Sequence, residues 1–444
     1  MRKTKLAAFV LCAVAAVSDA YAMDLSLNDT VDMIMAESQD LKKAEANVKK
    51  AEASLDVANA NRWFQIEGTA TYMNLIDVKN PTKSYSVSIP PEIGGMLQQY
   101  VGPDFQLPSK IDIPDSMFMA GVSITQPIYT FGKIGNAVKG VKAAIKVAEA
   151  SQEMTRREIR YSAVDMYWTA KMTDEIVDIS RADLDAARAA RRSLTSAGRA
   201  NRSNLVKIES DIATKEINLS NAEFNRDTAH RMLKILAGID MDTELNLTDD
   251  FPDTFPDLNA GELTSTPQWD VLNEQIQMYE RNARAQRANA LPTLAATASY
   301  NYIAMGPNIS NMFSRNDMQS GYWGLALQVP IFSGGVNMAN ATVEAMNAEA
   351  ARQDLDKAKK MTTEEYNRAI DQYNHLRGNL KTLENARDLA AKAYDFSSER
   401  FASGQTSAVE LSEVSAGLYQ LDMSLLNAKY NILMSAESVK KLGE

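Results

Sequence analysis

Gln126-Pro127-Ile128-Tyr129-Thr130-Phe131-Gly132 returns 203 positions later as Val329-Pro330-Ile331-Phe332-Ser333-Gly334-Gly335. In both copies proline closes a run of alternating residues, and glycine opens a long segment without proline. Proline lacks a backbone donor and fixes φ, so it suits the end of a strand. Glycine relieves the bend from strand into helix. The motif therefore reads as a strand feeding a helix, and the chain contains it twice.

The repetition extends outward on both sides. The turn glycine Gly198, followed by Leu205, matches Gly404, followed by Leu411, at an offset of 206, so a three-residue indel separates the copies. Asn61–Tyr72 corresponds likewise to Asn289–Tyr300. The order helix, strand, loop, strand, long helix, turn, helix thus occurs twice, which is the mark of a tandem duplication. The expected organisation is a leader over 1–22, a first repeat over 23–240, a linker or equatorial segment over 241–266 and a second repeat over 267–444.

None of the thirteen prolines falls between Ile128 and Phe251, or after Pro330. Interior proline costs a helix about 3 kcal/mol, so these are the places where long helices can form. Their apolar and small residues step by three and four. The clearest series is Leu411, Val414, Leu418, Leu421, Leu425, Ala428, Ile432, Ser435, Val439 and Leu442. A second is Leu205, Ile208, Ile212, Leu219, Ala222, Ala229, Leu233 and Leu236, with polar residues in the missing steps. An average period of about 3.5 predicts left-handed coiled-coil packing. Helices over Lys133–Thr195 and Val336–Ala402 would each run to roughly 95–100 Å at 1.5 Å per residue. Helices over 27–61, 203–237, 268–290 and 407–441 are expected to be about half as long or less, so that two could stack against one long partner.

Four segments follow a different period, at about 62–76, 116–129, 292–304 and 321–331. Phe64, Ile66, Ala70 and Tyr72 alternate with Gln65, Glu67, Thr69 and Thr71, and Trp323, Leu325, Leu327 and Val329 with Tyr322, Gly324, Ala326 and Gln328. One apolar and one polar or small face is the dyad pattern of membrane-barrel strands. A half-buried sheet in water also alternates. The leader and the long helices favour the membrane reading.

Arg2, Lys3 and Lys5, the apolar run Leu6–Val17 and Ala20-Tyr21-Ala22 have the form of a cleaved secretory signal. The only cysteine, Cys12, lies within it, so disulfides, thiol nucleophiles and cysteine–zinc sites are not expected. With a net charge of −10 the chain offers no basic face for nucleic acid. His230 and His375 each stand alone on a helix, and no H-E-x-x-H, phosphate-binding or dinucleotide motif occurs. Neither a cofactor nor an enzymatic activity is expected.

Arg400-Phe401-Ala402-Ser403-Gly404-Gln405-Thr406-Ser407-Ala408-Val409-Glu410-Leu411 resembles the hairpin turn of the TolC-type outer-membrane efflux proteins. Ala428-Lys429-Tyr430-Asn431, the final Lys440-Lys441-Leu442-Gly443, both Pro-Ile-Tyr/Phe strand ends and Leu291-Pro292-Thr293-Leu294 are similar to that family too. The resemblance spans the whole chain after the leader. It implies a mainly α fold in which duplicated coiled-coil hairpins form an α-helical tunnel and four strands per chain complete a trimeric twelve-stranded barrel. It further implies a homotrimer in outer-membrane lipid, exporting substrates from an inner-membrane transporter through a periplasmic adaptor protein. Glu410 and Glu413 fall where the family narrows its channel, although its acidic residues there are commonly aspartates. Gly198 and Gly404 stand at the two turns as helix stops, and Arg199 and Arg202 beside the first are either a solvated face pairing with Glu209 and Asp211 or, with the glycines, an adaptor-docking tip. The alternative is a secreted coiled-coil rod for structure or adhesion, which shares the helices but gives no reason for the strands.

Overall fold

The computed structural model describes residues 22–74, 116–196, 202–258, 261–306, 313 and 317–443, together with the backbone of 84–86 and 110–112. Nearly all of the expected leader, most of the first inter-strand loop, and both Gly198 and Arg199 lie outside these residues. In chain order the elements are β1 (Met23–Leu25), α1 (Leu27–Glu37), α2 (Gln39–Ala60), β2 (Gln65–Asn74), β3 (Ser84–Ser86), β4 (Lys110–Asp112), β5 (Ser116–Tyr129) and α3 (Lys133–Ser196). They continue with α4 (Arg202–Ala237), β6 (Leu245–Leu247), α5 (Pro267–Ala288), β7 (Thr293–Gly306), β8 (Asp317–Gln328), α6 (Val336–Ala402) and α7 (Ala408–Gly443).

The two copies of the opening motif enter their helices on the same backbone. Phe131 and Gly132 have φ of +48° and +86°, and their counterparts Gly334 and Gly335 have +62° and +79°. The Lys133 N–H donates to the Thr130 carbonyl and Asn136 to Gly132; 203 residues on, Val336 donates to Ser333 and Ala339 to Gly335. Two successive left-handed residues thus turn each strand into its helix. In the first copy a phenylalanine occupies one of these positions, a strain that its counterpart Gly334 avoids.

The chain divides into two compact units, and neither coincides with a repeat. The unit made of 51–145 and 275–350 holds an antiparallel sheet in the order β2-β5-β7-β8. Its register keeps like faces together. Ile66, Ile124, Ala298 and Trp323 form one cross-strand row, and the next row, on the opposite face, is Glu67, Ser123, Ser299 and Tyr322. The alternation read from sequence is therefore a property of the whole sheet. The apolar face is bare: Trp323 is 87% exposed, Leu325 70% and Ile66 61%. Within one chain the sheet does not close, and β2 and β8 are its two free edges. β8 starts at Asp317, four residues before the expected 321. The stretch read as loop pairs instead, Met318 with Ile303 and Ser320 with Asn301.

The other unit, made of 22–50, 146–274 and 351–443, is helical. Its largest cluster gathers Leu25, Ile34, Ala163, Val164, Tyr167, Trp168, Leu233 and Leu247. The Tyr167 hydroxyl donates to the Asp249 carboxylate at 2.9 Å and accepts from the Asp249 N–H at 3.0 Å. Burial, with the Asp249 carboxylate beside it, pushes the Tyr167 phenol far above its ordinary range.

One expectation needs correction. The helix foreseen over 27–61 is broken at Ser38, whose N–H ends α1 on the Ile34 carbonyl and whose hydroxyl accepts from Leu41 N–H to start α2. The segment 241–266 is more than a connection. Leu245–Leu247 pairs in parallel with Met23–Leu25, and Phe255 packs on Tyr373 and Ile432. Tyr373 Oη and Arg377 Nε donate to the carbonyls of Pro256 and Phe255, each at 2.7 Å.

Candidate functional site: the second helical turn

Between α6 and α7 the chain reverses over five residues, each end capped by local chemistry. Gly404, at φ +79°, is the left-handed residue closing α6. Its N–H donates to Phe401, and the Gln405 N–H donates to Arg400 at 2.7 Å, the paired bonds of a glycine helix stop. Ser407 then starts α7, its hydroxyl accepting from the Glu410 N–H at 3.2 Å. Ser407-Ala408-Val409-Glu410 has the spacing of a capping box. The Glu410 carboxylate, however, turns to the Arg400 guanidinium at 3.8 Å, both about half exposed. Such a pair contributes at most about 1 kcal/mol in water.

Periodicity sets which side chains are hidden. Ala408, Leu411 and Ser415 are buried, at 1%, 5% and 8% exposure. The first two join a cluster with Leu184, Ala187, Leu194, Ile208, Ile212 and Phe401 from α3, α4 and α6. Glu410 and Glu413 lie three residues apart on the neighbouring face, both exposed. Glu413 has no ion-pair partner among the described residues. The two carboxylates expected together are therefore unlike: one is tied to a guanidinium and the other is unpaired.

At the first turn Arg202 opens α4, exposed and without an ion pair among the described residues. Two arginines before it are engaged: Arg188 with Glu216 at 2.9 Å and Arg191 with Glu209 at 3.7 Å. Asp211 accepts from the Ser412 hydroxyl at 3.2 Å, across to α7.

One polar constellation was missed at the level of sequence. Lys215 Nζ lies 2.5 Å from Asp183 Oδ2, with side chains only 7% and 13% exposed. The Ser415 hydroxyl donates to Asp183 Oδ1 at 2.8 Å and accepts from Lys215 Nζ at 3.3 Å. Three helices, α3, α4 and α7, are joined by this buried triad. Just beyond, Arg387 Nε donates to Asp422 Oδ1 at 2.7 Å, and the Ser180 and Tyr419 hydroxyls meet at 3.3 Å. Burial, with the Asp183 and Asp395 carboxylates, pushes the Tyr394 phenol up. The signal was present: Lys215 fills the missing step between Ile212 and Leu219, where a coiled-coil seam calls for an apolar residue.

Of the two histidines, His230 Nε2 lies 2.9 Å from Asp174 and His375 Nε2 lies 3.3 Å from the Asn379 amide. Among the described residues no group of three or more His, Cys, Asp or Glu is placed to hold a metal, and no helix is long and apolar enough to cross a membrane.

The model of the outer membrane efflux protein family matches residues 30–238 and 264–442. Three solved structures share the fold along nearly the whole chain. CusC superposes with a TM-score of 0.77 at 15% identity, over 98% of this chain and 95% of its own. The CmeC outer membrane channel of Campylobacter jejuni gives 0.75 at 17% identity, over 94% and 85%. The outer membrane protein VceC of Vibrio cholerae gives 0.75 at 17%, over 94% and 96%. No curated protein sequence matches the chain with significance.

Proposed function

Since the chain belongs to the outer membrane efflux protein family, we propose that three copies of it form an exit duct for an inner-membrane transporter, joined to it by a periplasmic adaptor. The duct sits in the outer membrane, extends into the periplasm and performs no chemistry. We take 23–240 and 267–444 as its duplicated halves.

The observation that carries this reading is the open sheet. It has an apolar face with Trp323 and Leu325 bare, a polar face, and two edges with no partner among the described residues. In hydrocarbon each unpaired backbone group costs several kcal/mol, so such a sheet enters lipid only within a closed barrel. Four strands cannot close one, since barrels begin at about eight. Two chains would give a small barrel filled by side chains, whereas three leave a lumen.

The second turn narrows this duct. Three copies of Glu410 and Glu413 form two stacked rings of negative charge that favour cations and bind multivalent ones. Arg400 offsets Glu410, so Glu413 supplies most of the field. The detergent-extracted protein is expected to have the mass of three chains and to open cation-preferring pores in planar bilayers. A monomer that opens none overturns the reading. The E410A/E413A variant is expected to raise conductance and abolish block by multivalent cations, with E413A alone giving the larger share. Selectivity and block that stay as in wild type would leave Glu410 a partner of Arg400 near a helix start and nothing more.

We assign Arg199, Arg202, Gly198 and Gly404 to adaptor docking. Arg202→Glu is expected to weaken crosslinking to the adaptor while the trimer persists. Loss of the trimer itself would make Arg202 structural instead.

A further inference from the structure

The polar face of the sheet changes chemistry along its length. Its rows begin with Gln65, Thr125, Thr297 and Gly324, pass through Glu67, Ser123, Ser299 and Tyr322, and reach Thr69, Gly121, Asn301 and Ser320. The row after is Thr71, Met119, Ile303 and Met318. In the last, Met73, Met117 and Met305 stand directly opposite one another on three adjacent strands. Five thioethers thus share one end of a face otherwise lined by hydroxyls, amides and a carboxylate. The opposite face at the same level carries Tyr72, Phe118 and Ala304.

Directly opposed residues have Cβ atoms about 4.5–5.5 Å apart, within the span of two methionine side chains meeting at one atom. Methionine has three rotatable bonds and a polarisable sulfur. Met73 and Met318 are 43% and 62% exposed, and Met117, Met119 and Met305 are half-buried, so the group is open to solvent. Thioethers are soft ligands that select soft ions over hard ones. The described residues offer no cluster of His, Cys, Asp or Glu that would compete for a borderline metal.

We propose that Met73, Met117 and Met305, flanked by Met119 and Met318, form a binding site for a soft monovalent cation of the Cu(I) or Ag(I) kind. The coordination is by neutral sulfur, with no proton or electron transferred. That the site faces a lumen rests on the barrel reading; that it binds does not.

The test uses the full chain in detergent with Ag(I) in chloride-free buffer, and metal is counted per chain after desalting. The wild type is expected to hold one Ag(I) per chain that M73L/M117L/M305L loses, with affinity at least tenfold weaker. M117L, central in its row, should by itself weaken binding severalfold, which covers the case of a triple variant that does not fold. A control, M338L/M346L/M361L, removes three exposed helical methionines and should bind as the wild type does. Equal binding by wild type and M117L overturns the proposal. So does a triple variant that keeps its silver but loses uptake of an apolar dye, which would make the belt an apolar surface. Silver binding by a protein that opens no pores would sink the channel reading and leave this site standing; pores without silver would do the reverse.

Discussion

Replacing Asp183 with alanine is expected to destabilise the helical unit by about 3–5 kcal/mol, because the change leaves a charge buried without its partner. Lys215 keeps 7% of its side chain exposed and has its closest counter-charge at 2.5 Å on Asp183. Without it, Nζ retains only the Ser415 hydroxyl at 3.3 Å. The pair itself contributes little net stability, because desolvating two ions offsets most of their attraction. This gives a contrast. The apolar triple D183L/K215M/S415A should unfold within about 1 kcal/mol of the wild type or above it, because well-packed apolar replacements of buried ion pairs are often neutral or stabilising. The guanidinium midpoint of the helical signal reads both. A single variant as stable as the wild type would mean that water reaches Lys215. A triple variant as unstable as the single would mean that the triad holds the three helices by more than its charge balance.

The second large effect is at Tyr167, which is fully buried at 0% exposure among Leu25, Leu233 and Leu247. Tyr167→Ala removes a whole ring from a packed cluster, a change that costs about 3–5 kcal/mol in aromatic-to-alanine series. Tyr167→Phe keeps the ring and removes only the hydroxyl, leaving the Asp249 N–H without its acceptor, at about 1–3 kcal/mol. The order of the two is the test. Equal losses would place the whole contribution on the hydroxyl and its hold on residues 245–249. Proteolysis supplies a local readout, since Met23–Leu25 and Leu245–Leu247 pair only three residues each beside this ring. Cleavage near residue 25 should speed up in the alanine variant before the global unfolding signal moves.

What sequence reveals and what it hides follow from range. Val336–Ala402 was legible end to end because proline, glycine and a period of about 3.5 all act within a few residues. The strand faces were legible because a period of two survives pairing, and register then confirmed it row by row. The break at Ser38 was hidden, since the apolar period runs on through it while a single hydroxyl switches from one helix to the next. The β1–β6 pair was hidden for a different reason: three residues meet three others some 220 positions away, and so short a strand carries no period. The site divides in the same manner. Glu410 and Glu413 stood out because they follow a recognisable turn, whereas the unequal pairing of the two emerged only when Arg400 came within 3.8 Å. In sequence Lys215 is one of the polar residues in the missing steps of a seam. Its partners lie 32 residues away on α3 and 200 away on α7, and only packing brings them together.

If three chains close one barrel as proposed, the bare edges of β2 and β8 also bear on how the protein is made. A solitary newcomer at the membrane has nowhere favourable to put its sheet: water is wrong for Trp323 and Leu325, and lipid is wrong for the unsatisfied edges. Its useful lifetime would then be set by how soon it meets its fellows, and its yield would climb more steeply than in proportion to supply. Halving synthesis would more than halve the finished product, and what is left over would be the substrate of envelope proteases.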